Sequence, residues 1–384
     1  MRNPAKLVII YIHTVMYVNW QRENRMNVVL DRSIEGHAAE IAGTKAARAA
    51  CGISHAQEKQ IARALAPAIA WPTLALAVAL PLTFATIATL GFMRVLPLWI
   101  CTPVLALVSY AHYSLVHESI HGNVVSSPRS LAWVNTVVGW IGSLGLGIGW
   151  PALLRTHLLH HSHTNTENDP DIFVKGTFLQ LLQKWTVNIG RGLIPLVLGR
   201  YISPDGYSRL KGVFSKADIA QISAVTVLTL MLLVAAVITG HFVDWLFLWF
   251  LPTRLGVLIL NIFFQWLPHY PFDRTERYRN TRISLWFGGT FALLQQNLHL
   301  VHHLWPSVPF YNYARLYRAL KPVLRAEGSR IEGLMVGKHT RVIADLPSTK
   351  ARASPEALVS AVSPPPPTSN PPSPSSARRW FGRP

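Results

Sequence analysis

Residues 130–163 read SLAWVNTVVGWIGSLGLGIGWPALLRTHLLHHSH, a run dominated by apolar residues that leads directly into a cluster of histidines. A bilayer hydrocarbon core of about 30 Å takes roughly 20 apolar residues as a helix, so residues 130–154 are long enough to cross. Yet Gly139, Gly142, Gly145, Gly147 and Gly149 interrupt the run. Irregular backbone is tolerated at membrane depth only where protein covers it, so this run is expected to lie in the interface or re-enter rather than span. The fold turns on this reading, because the run separates one group of histidines from the next.

Four other long apolar runs lie outside it: residues 64–93, 95–116 (containing His112), 219–240 and 245–267, the last holding Pro252 and Arg254. Charged residues are only 14% of the chain, 50% are hydrophobic, and mean hydropathy is +0.26. This is membrane composition. Thirty-six Lys and Arg against eighteen Asp and Glu leave +18, which elsewhere would suggest nucleic acid. Here the basic residues alternate with long uncharged runs, so they read as topology, and no nucleic-acid partner is expected. The two cysteines, Cys51 and Cys101, exclude a disulfide scaffold, a Cys-rich zinc module and a ferredoxin-type cluster.

Of sixteen histidines, nine fall into four patterns: His117 and His121 in His-Glu-Ser-Ile-His; His157, His160 and His161 in His-Leu-Leu-His-His; the single His269; and His299, His302 and His303 in His-Leu-Val-His-His. On a helix, positions i, i+3 and i+4 share a face, so each motif offers two or three imidazoles to one point. Neutral imidazole is the commonest protein metal ligand, and nine exceed what one tetrahedral ion can use. Two metal ions are implied. His13, His37, His55, His241 and His339 have no partner at ligand spacing and read as ordinary histidines.

The segment from His117 to His121 also matches the His-Glu-x-x-His of zinc proteases, in which Glu is the general base. The extended form of that motif needs Gly and His three and six residues past the second His, where this chain has Val124 and Ser127. A membrane metalloprotease would also leave both His-x-x-His-His groups without a role. It is the distant alternative.

Topology gives an independent test of the metal reading. Were all five runs to span, His117 and His121 would face the opposite side from His157, His160 and His161. With four spans every pattern falls on one side, together with both termini and 34 of the 36 Lys and Arg, Arg94 and Arg254 being the exceptions. The positive-inside rule makes that side cytoplasmic. The sequence therefore predicts an all-α integral membrane protein of four transmembrane helices with a cytoplasmic helical cap that carries the histidines.

The chain divides into an N-terminal cytoplasmic segment (1–63), a membrane catalytic domain (64–335) and a Pro/Ser-rich tail (344–384) that cannot bury a core and is expected to be disordered. Residues 7–18 are too short to span and precede no small-x-small cleavage site, so a signal peptide is not expected. Met26 opens a more ordinary polar stretch and is an alternative start.

The set His117-x-x-x-His121, His157-x-x-His160-His161 and His299-x-x-His302-His303, spaced around hydrophobic pairs, resembles the membrane fatty acid desaturase/hydroxylase superfamily over about residues 64–335. The resemblance implies two non-haem iron ions held by the histidines and O2 as co-substrate at the cytoplasmic face. In acyl-CoA desaturases of this type, a lone histidine after the last span joins the ligands, and an amide residue four positions earlier holds a ligating water. His269 matches the former and Gln265 stands at the latter position, as Gln where Asn is expected. Several stretches are most similar to the carotenoid-ring hydroxylases and ketolases: His117-Glu-Ser-Ile-His-Gly122, the segment from His161 through Asn168-Asp-Pro-Asp171, Trp266-Leu-Pro-His-Tyr-Pro271 with Arg277-Tyr-Arg-Asn-Thr-Arg282, and Asn297 to Ser307. Glu118 stands where many relatives carry Asp.

The implied reaction is oxidation of an unactivated C–H bond of a long apolar lipid, with hydroxylation of a carotenoid ring favoured and fatty acyl desaturation the alternative. Glu118, Asp169 and Asp171 are candidates to lie behind the imidazoles, fixing their tautomers and raising their basicity. Their ordinary reading is capping or surface charge. The chain has no Rossmann glycine fingerprint and no cluster-binding cysteines, so electrons must come from a separate donor, a ferredoxin with its reductase or a similar carrier. Arg274, Arg277, Arg279 and Arg282 could meet an acidic carrier or anionic lipid.

Overall fold

The computed structural model describes residues 45–198 and 212–333. The expected disordered tail, residues 7–18 and Met26 lie outside this range.

Helix α1 (His55–Ala64) opens with a capping box in which Ser54 and Gln57 satisfy each other's backbone N–H groups. Next come α2 (Trp71–Phe92), with Pro72 in its first turn, and α3 (Leu98–Ile120). The chain continues through α4 (Trp133–Gly145), α5 (Trp150–His163) and α6 (Phe178–Arg191) to α7 (Lys216–Ile238). The long helix α8 (Phe242–His269) contains two π-helical segments, Leu246–Phe250 and Asn261–Trp266. Helices α2, α3, α7 and α8 are long and apolar enough to cross a membrane. On α2 and α7, Trp71, Leu82, Met231 and Ile238 stand more than 60% exposed, an outer surface suited to lipid rather than water.

Residues 45–50 and α1 are helical within the N-terminal segment 1–63, and the first span starts at Trp71 rather than residue 64. The second extends to Ile120, which carries His117 into its last turn. The glycine-rich run is not one helix. It breaks between α4 and α5, whose axes meet at 103°. Gly147 turns the chain with φ +63°, a conformation open to glycine at little cost.

Glycine also lets α4 lie against α3. A β-carbon at Gly145 would stand 2.3 Å from the His112 ring, and one at Gly142 would stand 2.7 Å from the His112 carbonyl oxygen. Ser109 Oγ on α3 donates to the Gly145 carbonyl at 2.7 Å. Arg254, the charge inside the last span, turns its guanidinium to the carbonyls of Leu146 (2.8 Å) and Gly147 (3.2 Å). It thereby supplies donors and positive charge to the end of α4, where helix carbonyls lack partners. At the far end of the spans, Arg94 and His241 both pair with Asp244, tying the two outer connections together.

Beyond α8 the cap holds α9 (His299–Leu304) and α10 (Tyr313–Ala326), with β1 (Arg282–Ser284) and β2 (Arg330–Glu332) forming a short parallel pair that adds to the all-α expectation. In α10, Tyr313, Leu316, Tyr317, Leu320 and Leu324 are buried, while Arg315, Arg318 and Arg325 face out. That stripe packs with Ile61 and Leu65, from α1 and just beyond it, and with Leu300 and Leu304 of α9. The cap thus presses α9 down onto the ends of α3, α5 and α8.

Candidate metal centre

Four elements meet at the ends of the spans, and each brings one of the histidine patterns. His117 is in the last turn of α3 and His121 follows it; His157, His160 and His161 lie on α5; His269 ends α8; His299, His302 and His303 lie on α9. All nine converge. One group is His117, His121, His157 and His302; the other is His160, His269, His299 and His303. His161 joins them, its Nε2 2.7 Å from His302 and 3.1 Å from His157. Within the first group, Nε2 atoms approach to 2.9 Å (His117 and His302) and 3.0 Å (His121 and His157). Within the second, His269 and His303 each stand 3.0 Å from His299.

The convergence of His117 and His121 with the α5 histidines requires that the glycine-rich run return to its starting side, as four spans demand.

The opposite ring nitrogens show what these atoms do. His160 Nδ1 lies 2.9 Å from Asp169 Oδ1, His117 Nδ1 3.3 Å from Glu118 Oε1, and His269 Nδ1 3.0 Å from Asn165 Oδ1. Carboxylate and amide oxygens only accept, so each Nδ1 carries the proton and each Nε2 presents a bare lone pair. Burial, reinforced by the neighbouring imidazoles, holds His157, His161, His299, His302 and His303 well below the ordinary imidazole range. At His160 burial also disfavours charge, but Asp171 and Asp169 outweigh it and raise the value. Lone pairs facing one another at about 3 Å, buried and reluctant to protonate, repel unless a cation lies between them. Nine imidazole nitrogens in joined groups are a donor set that suits iron and other first-row transition metals. The residues present fit two such ions.

Asp169 holds three donors: the His160 ring and the backbone N–H groups of Asn165 (2.7 Å) and Asp171 (2.8 Å). It therefore both caps the 3-10 turn Pro170–Val174 and orients an imidazole. Asp171 lies farther out, 3.7 Å from His160 Nδ1, and burial pushes its carboxyl up to about 6. Glu118, fully buried, accepts from His117 and from the Phe310 N–H at 3.2 Å. That places it on the Nδ1 side of His117, away from the converging Nε2 atoms, where a protease base would have to stand. Gln265 lies in the second π segment, hydrogen-bonded towards Asp171.

Three supporting residues were not apparent from the sequence. Asn165 carries His269 and is itself held by donating Nδ2 to the carbonyls of Arg274 and Asn280. The Tyr313 hydroxyl lies 3.0 Å from His302 Nδ1, and Tyr113 3.4 Å from His157 Nδ1. Asn165 sits in the quoted segment from His161 to Asp171, but nothing in its spacing marks it; Tyr313 and Tyr113 depend on how helices pack. Phe264 packs edge-on against His299 (4.6 Å between centroids) and His117 (5.3 Å), facing the centre with hydrocarbon. Among the histidines without ligand spacing, His55 stacks on Trp305 and His241 pairs with Asp244, while His13, His37 and His339 lie outside the described residues.

Among curated proteins, the chain is 25% identical over 227 residues to the beta-carotene ketolase of Paracoccus sp. (strain PC1), covering 56% of this chain and 77% of that protein. A beta-carotene ketolase of another Paracoccus strain is 26% identical over 217 residues, covering 53% and 72%. The sn-2 acyl-lipid omega-3 desaturase (ferredoxin), chloroplastic, of Arabidopsis thaliana is 26% identical over 260 residues, covering 59% of this chain and 56% of the plant protein. The family profile "Fatty acid desaturase" matches residues 93–332, well over half the chain and all four histidine patterns. With four apolar helices around a buried histidine cage, this multi-pass membrane oxidoreductase belongs to the fatty acid desaturase family.

Proposed function

We propose that the protein is an O2-dependent di-iron enzyme that oxidises ring C–H bonds of a carotenoid, giving an alcohol or, on further oxidation, a ketone. The observation that carries this reading is the pair of joined imidazole groups, buried at the ends of the spans with an apolar wall against them. His117, His121, His157, His161 and His302 would hold one iron; His160, His269, His299 and His303 the other. Bound there, the irons would supply O2 activation, which no side chain in the site provides.

The protein's own groups do the rest. Glu118, Asp169 and Asn165 keep the protons on Nδ1 and aim the Nε2 lone pairs inward. Phe264 keeps water from the face nearest the spans and offers a surface for a hydrocarbon chain. Gln265, beside Asp171, is suited to hold a water next to the second group, as the amide position in acyl-CoA desaturases implies. In hydroxylation one oxygen atom enters the C–H bond and the other leaves as water, so a pair of electrons and a pair of protons must come from outside. The donor is proposed to be a ferredoxin with its reductase, or a similar carrier. The basic side, with the site and both termini, is proposed to be cytoplasmic.

The carotenoid reading draws on the similarity to the two ketolases and on the Asn168-Asp-Pro-Asp171 and Trp266-Leu-Pro-His-Tyr-Pro271 segments. Acyl desaturation is the second reading, favoured by the similarity to the plant desaturase. Expression in cells that make β-carotene, with parallel fatty acid analysis, separates them. Hydroxylated or keto rings are expected; unchanged carotenoid beside a new lipid double bond would overturn the first reading. Elemental analysis should give about two iron atoms per chain, whereas one zinc and no iron would return the protease to consideration.

A further inference from the structure

The link between β1 and α9 differs from the rest of the cap. From Ile283 to Ala314 there is no Asp, Glu, Lys or Arg, in a cap otherwise rich in arginine. Within it, Phe287 is 101% exposed and Phe291 is 88% exposed, the two most exposed large apolar side chains among the described residues. Phe287 precedes the short helix Gly289–Ala292 and Phe291 lies within it, four residues on.

The loop is anchored at membrane depth. The Tyr110 hydroxyl lies 3.4 Å from the Leu293 carbonyl, which accepts from it. Tyr110 lies within the α3 span, seven residues or about 10 Å before His117. Helical Cα–Cβ bonds tilt towards the N-terminus, which in α3 is the direction away from His117 and into the bilayer. Leu293 is buried in one apolar cluster with Tyr110, Tyr113, Leu260 and Phe264, and Trp286 packs on that cluster, as do Val257 and Ile259 of α8. Trp286 and Leu293 therefore rest against the lengths of α3 and α8 that cross the membrane, while Leu285 and Leu294 pack on the cap cluster beside them.

We propose that residues 286–294 are immersed in the bilayer, with Phe287 and Phe291 among lipid acyl chains. Two exposed phenylalanines in water would be an aggregation liability, whereas at this depth they continue the apolar surface of the spans. The loop then forms the lipid-side rim of the metal centre. Leu293 and Phe264 share one apolar cluster, and Phe264 touches the His299 ring, so a lipid-soluble molecule could follow this wall from bilayer to histidines without crossing water. The immersion itself depends only on the membrane fold; the role as a rim rests on the function proposed above.

The test is nitroxide labelling of Phe287→Cys and, separately, Phe291→Cys, each in a Cys51→Ser, Cys101→Ala background. The full chain is reconstituted in phosphatidylcholine vesicles, and collisions with O2 (enriched in lipid) and with a water-soluble nickel chelate are measured by EPR. Labels at Leu232→Cys on α7 and at Arg318→Cys on α10 are the lipid and water references. Both loop labels are expected to match the Leu232 label, with several-fold more O2 than nickel relaxation. Nickel accessibility equal to that at 318 would overturn the proposal. So would protection from both reagents, which means a covering protein, or dipolar broadening that disappears on dilution with unlabelled chain, which means a second copy. Both side chains are exposed in the monomer, so loss of folding is not expected. The outcome is read without turnover and is independent of the substrate.

Discussion

Replacing Asp169 by Asn separates the two roles its position allows. As an N-cap, Asn is about as good as Asp, so a residue that only caps the Pro170–Val174 turn would tolerate the change. As the support of His160 it would not. Asp169 Oδ1 accepts from the His160 ring and from the Asp171 N–H, and Oδ2 from the Asn165 N–H. An amide has one oxygen, so its NH2 must face either the Asn165 N–H or the donors at His160 and Asp171, leaving a buried donor unpaired in either orientation. Losing a group of this kind behind a ligating histidine typically costs about 10–100-fold in metal affinity, or ~1.4–2.8 kcal/mol. The effect should fall on the group His160, His269, His299 and His303, because the carboxylate touches nothing in the other. Purified Asp169→Asn protein in nanodiscs, equilibrated with chelator-buffered iron, should drop from about two iron atoms per chain to about one at free iron that saturates the parent. Unchanged loading would show that Asp169 is a cap alone. Equal loss from both groups would show that the two sets are not separately supported.

Substituting His160, His302 or His269 by Ala should each abolish turnover while membrane insertion, read by protease protection, is unchanged; His241→Ala, at the opposite end of the spans, should be nearly silent, and equal loss there would undo the assignment of the nine. Reporters fused after residues 60, 125, 210 and 345 should all read cytoplasmic, and an external signal at 210 would mean that α4 and α5 together cross the bilayer. Gly145→Ala puts a methyl group 2.3 Å from the His112 ring, which should cost about 1–3 kcal/mol by overpacking; an unchanged thermal midpoint in detergent would show that α4 can move off α3 freely.

Much of the site was legible because its chemistry is local. A helix puts i, i+3 and i+4 on one face whatever surrounds it, so His157, His160 and His161 announce a shared target before any fold is known. The same holds for the apolar runs, whose length is set by the bilayer, although their ends were misjudged by several residues at Trp71 and Ile120. Those ends depend on caps and on contacts with the cap domain, which hydropathy does not register. The glycines of the broken run pointed to its failure to span, while Gly142, Gly145 and Arg254 show the cause: close packing on α3 and a guanidinium on the carbonyls of Leu146 and Gly147.

The amino-acid sequence by itself determined the nine imidazoles, the four spans and the single side on which they must meet, since these follow from residue spacing and from what a bilayer excludes. Only the tertiary structure decided that eight of the nine form two groups of four with His161 beside them, that Asn165 and Tyr313 support His269 and His302, that Glu118 stands behind the His117 ring rather than among the converging Nε2 atoms, and that Trp286 and Leu293 rest on the spans. Each of these is a contact between segments far apart in the chain, made by side chains whose types occur at many other positions. Such partners are chosen by packing geometry, and no local pattern encodes it.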